Sequence, residues 1–367
     1  MEDLVMTNRI LDEDIEYIRR ALSARELEFF GGRSVLITGC AGFLGYTFLH
    51  FFTRLARELK LRQVIGLDSF ILGRPAWLDR LAAENPVLQL HAADIRSTDL
   101  GKIPGAQDAD LVIHMASIAS PTYYRKHPIE TLEANIWGLR ALFDFYKERK
   151  IAGLLFFSSS EVYGDPPADQ VPTSESYRGN VAMIGPRACY DEAKRCGETM
   201  SYLYAERYGL PVSIVRPFNN YGPGMKLDDR RVPADFAKAV LANQDIQIFS
   251  DGKPTRTFCY VADAITGYLK ALAHGKFEFF NIGIEKPETS VEGLAEIYRR
   301  AGAQICGYSG KVVLAVQSEQ AYLTDNPNRR CPRIDKAREL LGFAPTIEVE
   351  AGVRRFLEFI VANRGEL

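Results

Sequence analysis

The feature that most constrains this chain is a short apolar strand, Ser34-Val35-Leu36-Ile37-Thr38. It runs straight into Gly39-Cys40-Ala41-Gly42-Phe43-Leu44-Gly45 and then into an apolar helical stretch. Glycines spaced GxxGxxG between strand and helix let the backbone turn tightly and approach a diphosphate, whose charge the amides of the helix N-terminus can hold. Further apolar runs at Gln63–Asp68, Gln89–Asp94, Leu111–Met115, Gly153–Ser158, Pro211–Arg216 and Phe277–Ile282 alternate with helical segments. Continuous apolar strands of this kind are buried on both faces, and their alternation with helices builds a parallel sheet. The expected fold is α/β, a Rossmann-type doubly wound parallel sheet with a smaller, discontinuous α/β substrate domain.

Residues 1–31 precede this pattern as a helical extension, with Ile10, Leu11, Ile15, Ile18 and Leu22 at near-helical spacing. One or two short amphipathic helices packed on the body or on a partner subunit are expected there. Residues 32–217 are expected to form a dinucleotide-binding domain, to which 255–283 return, and 218–254 with 284–367 a second, smaller substrate-binding domain. The break is marked by the loop-rich RPFNNYGPG after the strand ending at Arg216. Beyond it, Thr289 with Glu292 fits a capping box for a helix through Leu294, Ile297 and Tyr298, and RIDKARELLG reads as a helix stopped by Gly342.

At 367 residues and 47% hydrophobic composition the chain has ample core material, and a net charge of −2 argues against a nucleic-acid partner. Six cysteines, at 40, 189, 196, 259, 306 and 331, show neither CxxC pairs nor metal-ligand spacing, so no metal is expected and reduced thiols are the simplest account. The acidic start MEDLVMTNRILDEDIEYIRR does not read as a signal peptide, and no apolar run approaches membrane-spanning length. A cytoplasmic location with no membrane partner is expected.

The second strand ends in Asp68, a little over twenty residues beyond Gly45. A carboxylate there accepts hydrogen bonds from the adenosine ribose and repels a ribose phosphate, which favours NAD over NADP; the alternative is that Asp68 caps the following turn. Gly39, Gly42, Phe43, Leu44 and Gly45 would hold the diphosphate, Asp94 and Ile95 would flank the adenine, and Ala116 and Ser117 would lie along the cofactor.

Tyr190 and Lys194 stand four apart in ACYDEAKRCGETM and so share a helical face, while Ser159 follows the apolar strand LLFF. These are the parts of a proton-transfer device. An ammonium beside a phenol is expected to lower the phenol's pKa, so that Tyr190 takes a hydroxyl proton while Ser159 steadies the same oxygen. Tyr190 and Lys194 would also touch the cofactor, which accepts the hydride.

With these pieces in order, residues 33 to 360 resemble the extended short-chain dehydrogenases, the NAD-dependent epimerase/dehydratase family. Within it the chain is most similar to the UDP-glucuronate decarboxylase (UDP-xylose synthase) family, through SSSEVYGDP, IGPRACYDEAKR followed by ETM, FNNYGP, TRTFCYVAD and RRCPRIDKARELLGF. The resemblance implies that Glu161 contributes to decarboxylation or to proton handling near sugar carbon 5, and that Arg256 meets the substrate's charged end. It also implies Tyr124, Arg187, Asn219, Arg231 and Arg330 as sugar or nucleotide contacts, Phe249 as an aromatic stacked on the base, and a homodimer. Salt bridging is the alternative for the arginines, and core packing for Phe249. Two features depart from the family: Gly224 follows Pro223 where it has Arg, and three serines replace Thr-rich forms of the hydroxyl loop.

In that family Ser-Glu follows the catalytic hydroxyl, whereas hexose 4,6-dehydratases carry Asp-Glu; this chain has Ser160-Glu161. Eliminating water needs an acid for the leaving hydroxyl as well as a base, and Ser160 stands in the acid's place. Decarboxylation needs no such donor, because oxidation at carbon 4 of a glucuronate makes a β-keto acid. The reading is a redox-neutral, NAD-recycling decarboxylase of UDP- or dTDP-glucuronate. A 4-epimerase or 4,6-dehydratase, another hydride-transfer enzyme on such sugars, and an NAD-sensing scaffold protein remain as alternatives.

Overall fold

The computed structural model describes residues 9–315 and 327–364. The start of the expected extension, and residues 316–326 and 365–367 of the expected substrate domain, lie outside the described residues. Seven strands form one fully parallel sheet: β1 (Ser34–Thr38), β2 (Gln63–Asp68), β3 (Leu88–Ala92), β4 (Leu111–His114), β5 (Gly153–Phe157), β6 (Val212–Pro217) and β7 (Glu278–Ile282). Their order is β7-β6-β5-β4-β1-β2-β3, with Val35 paired to both Val64 and Leu111. β1 and β5 are buried along their whole length, as their continuous apolar character predicts. The strand ends agree with the sequence expectation to within two residues. The largest difference is at β3, which stops at Ala92 because Asp94 accepts the Arg96 amide at 3.0 Å and turns the chain.

From β1 the chain fills the sheet outward in one direction through β2 and β3, and in the other through β4 to β7. The order therefore reverses between β1 and β4, and a crevice opens above their carboxyl ends, where ligands of such sheets bind. Gly39, just past β1, has φ of +73°, and a Cβ there would come within 2.7 Å of the Ala116 nitrogen just past β4. Only glycine lets the two turns close on each other.

The extension forms α1 (Arg9–Ala21) and α2 (Ala24–Phe30), and all five of its expected apolar residues are buried. Ser23 caps α2 in a true capping box with Glu26, which the apolar spacing alone does not reveal. α1 packs against α3 (Phe43–Arg54), the helix leaving the glycine turn, and against two helices of the body, Val261–Ala273 and Val349–Ala362. At its centre Asp14 accepts from Tyr260 Oη at 2.8 Å and pairs with Arg355 at 2.7 Å while only 1% exposed. Burial pushes the Asp14 carboxyl up to about 6, against the pull of Arg355 and Tyr260. The folded state thus holds a proton that the unfolded chain releases near pH 3.8, so this group's contribution is complete below that pH and is lost as the pH rises through 6. Asp14→Asn is expected to remove that loss. Between pH 4 and 6 the variant should gain about 2 kcal/mol on the wild type in denaturant-unfolding titrations, and parallel curves would contradict the assignment.

Beside the large sheet, short strand pieces order the chain around the crevice. Thr255–Arg256 pairs antiparallel with Thr289–Ser290 and parallel with Arg329–Arg330, which sets Arg256 directly beside Arg330. The helix Val291–Cys306 is capped by Ser290, whose Oγ accepts from the Gly293 amide at 2.9 Å. This corrects the expected cap at Thr289, because the helix begins at Val291 and the residue immediately before it is Ser290. The helix Asp335–Leu341 ends as expected at Gly342, in the left-handed conformation. All six cysteines are free thiols, and no helix among the described residues is long and apolar enough to cross a membrane.

Candidate active site

One cleft of about 510 Å³ opens over the switch point, and every site residue expected from the sequence lines it. Its floor is the glycine turn. α3 begins at Gly42 with no side-chain cap, so the first amides of the helix are left for a ligand. A Cβ on Gly45 would meet the Cys40 carbonyl oxygen at 2.2 Å, so the turn admits no side chain there. Asp68 accepts from the Ala41 amide at 2.9 Å and from the Phe70 amide at 2.8 Å. It therefore caps its turn and pins the glycine loop at once, and each oxygen keeps a lone pair for a ribose hydroxyl. Burial pushes its carboxyl above the usual range despite those amides.

Along the same wall Asp94 is gripped by Arg96, with Nη2 at 2.6 Å, and Arg96 reaches Glu133 at 2.9 Å. The Arg96 hydrogen bonds hold Asp94 below the ordinary carboxylate range. Ile95 is buried, Ala116 and Ser117 are partly exposed, and Asn135 donates to Ser117 Oγ at 2.9 Å.

Above the cofactor floor lie Ser159, Tyr190 and Lys194, each less than 9% exposed. Ser159 caps the short turn Ser160–Tyr163, accepting from the Glu161 amide at 3.2 Å, and also hydrogen-bonds Tyr190. Tyr190 and Lys194 share the inner face of α4 (Ala188–Tyr208), as their spacing predicts. Tyr124 stacks on Tyr190, with ring centroids 5.3 Å apart and planes 14° from parallel, and its own hydroxyl has no hydrogen-bond partner among the described residues.

The expected electrostatics are corrected here. Burial pushes the Tyr190 phenol up to about 12, with the Ser159 hydrogen bond pulling the other way, so the expected lowering by Lys194 is not present. Lys194 instead donates Nζ to the Phe157 carbonyl at 2.6 Å, and burial pushes its ammonium down to about 7. Burial penalises the charged form of each group, which moves the phenol up and the ammonium down.

Opposite this set stands a buried ion cluster. Arg330 grips Glu161 with two parallel hydrogen bonds, Nη1 to Oε1 at 2.5 Å and Nη2 to Oε2 at 2.7 Å, and Arg187 pairs with the same carboxylate. Burial favours the protonated acid, but Arg187 and Arg330 outweigh it and hold Glu161 down at about 2. Glu161 is therefore an anion with no proton to give at neutral pH. Arg187 also lies 3.5 Å from Asp191, whose carboxyl burial and the Glu161 charge push up to about 7. Asp191 was not singled out from the sequence, although its spacing of four from Arg187 was visible there.

The remaining expected contacts line the cleft already engaged. Arg256 donates to the carbonyls of Thr255, Asn328 and Pro327, at 2.8, 3.1 and 2.5 Å. Burial first, then Arg330, pushes its guanidinium down to about 9. Arg231 pairs with Asp229, and Asn219, with φ of +43°, donates to the Thr257 carbonyl at 3.0 Å. Phe249 is half-buried at the cleft's edge, and Ser160 is buried at the start of its turn. Arg187, Arg231 and Arg330 are salt-bridged, as the alternative held, but inside the cleft rather than on the outer surface, whereas Arg256 donates to backbone carbonyls.

Residues 35–283 match the NAD dependent epimerase/dehydratase family. The chain belongs to that family. It is 34% identical to UDP-glucuronic acid decarboxylase 1 of Xenopus tropicalis over 330 residues, covering 89% of this chain and 72% of that protein. It is also 34% identical to UDP-glucuronic acid decarboxylase 6 of Arabidopsis thaliana, covering 90% and 89%. Among solved structures it superimposes, with a TM-score of 0.73 and 27% identity, on the UDP-glucuronic acid 4-epimerase of Bacillus cereus in complex with UDP-glucuronic acid and NAD. That match covers 89% of this chain and 99% of that one.

Like its family, the enzyme is NAD-dependent. The residues present fit that cofactor: the glycine turn has no room for a Cβ at Gly39 or Gly45, the uncapped amides of α3 suit a diphosphate, and Asp68 suits a ribose. Among the described residues no cluster of His, Cys, Asp or Glu could hold a metal ion.

Proposed function

We propose that the enzyme decarboxylates a nucleotide-linked glucuronate, UDP-glucuronate ahead of dTDP-glucuronate, to the xylose nucleotide and carbon dioxide. The single observation that carries this reading is the state of the pair after Ser159. Ser160 is no acid, and Glu161 is locked as an anion between Arg187 and Arg330. Elimination of a sugar hydroxyl would need a proton from one of them, and neither has one to give. Loss of carbon dioxide from a β-keto acid needs none. The decarboxylase relatives support the same reading.

In this reading Gly39, Gly42, Phe43, Leu44, Gly45, Asp68, Asp94, Ile95, Ala116 and Ser117 hold NAD, which when bound takes and later returns the hydride of carbon 4. Tyr190, in its ionised form, receives the carbon-4 hydroxyl proton as that carbon is oxidised, and Ser159 holds the same oxygen. The ammonium of Lys194, 5.5 Å from the Tyr190 ring, supports that ionised form. When carbon dioxide leaves, the electrons run into the carbon-4 carbonyl, and Ser159 and Tyr190 donate to the resulting enolate oxygen. A proton drawn from solvent then adds to carbon 5 in place of the lost carboxylate, and Tyr190 gives its proton back as carbon 4 is reduced. Glu161 acts by its charge, setting Arg187 and Arg330. Tyr124, Asn219, Arg231, Phe249 and Arg256 bind the nucleotide sugar. Residues 32–217 with 255–283 form the cofactor domain, 218–254 with 284–367 the sugar-nucleotide domain, and the enzyme works as a cytoplasmic homodimer.

A 4-epimerase is the second reading, favoured by the likeness to an epimerase bound to UDP-glucuronic acid. Incubation with NAD and either UDP-glucuronate or dTDP-glucuronate separates the two. Carbon dioxide with a pentose product is expected, faster from the UDP sugar, whereas a six-carbon acid inverted at carbon 4 would overturn decarboxylation.

A further inference from the structure

One turn beyond Lys194 on α4 stands Glu198, a carboxylate that the scheme above does not use. Its Oε1 accepts from Ser158 Oγ at 2.5 Å and from Arg216 Nε at 2.8 Å, and its Oε2 accepts from Arg216 Nη2 at 2.5 Å. Ser158 is the first residue past β5. On one side of it is the Phe157 carbonyl that takes the Lys194 Nζ at 2.6 Å; on the other is Ser159, which hydrogen-bonds Tyr190. A single carboxylate thus joins α4, the end of β5 and, through Arg216, strand β6.

Charges near Lys194 are few. On α4 they are Glu198 and the Tyr190 phenol; on β4 it is His114, whose imidazole burial first, then Lys194, pushes down to about 3. From β5 come only the Phe157 carbonyl and the Phe156 ring face, 5.3 Å from Nζ. Glu198 in turn is faced by Arg216 on β6 and by Tyr163, whose hydroxyl accepts from Arg216 at 2.7 Å. The Glu175 backbone carbonyl also accepts from Arg216, at 3.2 Å.

We infer that Glu198 is a positioning residue of the proton-transfer set: its charge keeps the buried Lys194 protonated, and its oxygens fix Ser158 so that Ser159 and the Phe157 carbonyl stay aligned. This rests on the roles proposed above for Tyr190 and Ser159, and on a protonated Lys194 supporting the ionised Tyr190 phenol. Burial pulls the Lys194 ammonium down to about 7, and Glu198 is the carboxylate that pulls it back up. Arg216 opposes Glu198, because it neutralises the charge that Lys194 feels.

Two variants therefore shift Lys194 in opposite directions. Glu198→Gln keeps the shape and an acceptor for Ser158 but removes the charge, so the Lys194 titration should fall by about one pH unit. Arg216→Gln frees the Glu198 charge and should raise it. The titration is read by NMR of [15N]lysine-labelled enzyme saturated with NAD, the signal being assigned by its loss in Lys194→Met. A second readout is the alkaline limb of the kcat profile. Glu198→Gln should lose about fivefold near neutrality and recover most of it on acidification by one unit, with NAD affinity at pH 6 within about threefold of wild type. If Glu198→Gln does not fold, Arg216→Gln and Glu198→Asp carry the test, the latter keeping the titration near its wild-type midpoint while kcat falls.

An unmoved Lys194 midpoint, shifts in the same direction for the Glu198→Gln and Arg216→Gln variants, or a loss equal at every pH would overturn the inference. A wild type that fails to decarboxylate defeats the functional reading instead, and the NMR titration still decides the role of Glu198.

Discussion

Tyr190→Phe is expected to lower turnover by ~10³-fold or more while leaving the affinity for NAD within about a factor of three, as measured by kcat and by fluorescence titration of the cofactor. The ring that stacks on Tyr124 is kept, so packing is undisturbed and only the hydroxyl is lost. That hydroxyl is bound by Ser159, lies on the cleft wall, and has a pKa pushed up to about 12 by burial. A phenol so disposed carries its proton at neutral pH, so it takes the carbon-4 proton only from its ionised form, which the Lys194 ammonium supports, and it returns that proton when carbon 4 is reduced. Turnover retained within tenfold would remove Tyr190 from that role.

The second large effect falls on stability as well as rate. Glu161→Gln removes the anion from between Arg187 and Arg330, whose side chains are 8% and 9% exposed. Taking one partner from a buried ion pair leaves an uncompensated charge in a poor solvent and costs about 3–5 kcal/mol. Asp191 should soften the loss, because its carboxyl is pushed up partly by Glu161 and will ionise more readily beside Arg187 once that charge is gone. The expected result is a clear fall in Tm at neutral pH and a loss of activity at saturating NAD. An unchanged Tm would mean that the cluster does not hold the cleft together.

Much of this enzyme is legible from local sequence, and what is not has a common physical cause. The glycine turn, the strand to Asp68, and the Tyr190–Lys194 spacing are short-range patterns, and the structure places all of them on one cleft. Arg330 and Glu161 are 169 residues apart, and their pairing is made by two strand fragments that no periodicity announces. The ionisation of Glu161 and Tyr190 depends on that pairing and on burial, so a spacing rule could name the residues but not their charge states. The Tyr190 expectation went wrong for this reason: the attraction of a nearby ammonium was foreseen, the loss of water around both groups was not. Asp191 and Glu198 each lie four residues from a basic partner on the sequence side of α4, yet a helical carboxylate at that spacing is usually a solvated pair. Ser290 rather than Thr289 is the cap because the helix begins at Val291, one residue later than the spacing to Glu292 suggests, and Ser290 Oγ meets the Gly293 amide.

The account's central claim is that carbon 4 is oxidised and reduced again within one turnover while carbon 6 leaves. Deuterium at carbon 4 tests it most directly. With UDP-[4-²H]glucuronate, NAD and no external reductant, the account predicts a xylose nucleotide that keeps its deuterium at carbon 4, with one carbon dioxide released per pentose. Deuterium lost to solvent or to free NADH, or retained in a six-carbon acid, would contradict it.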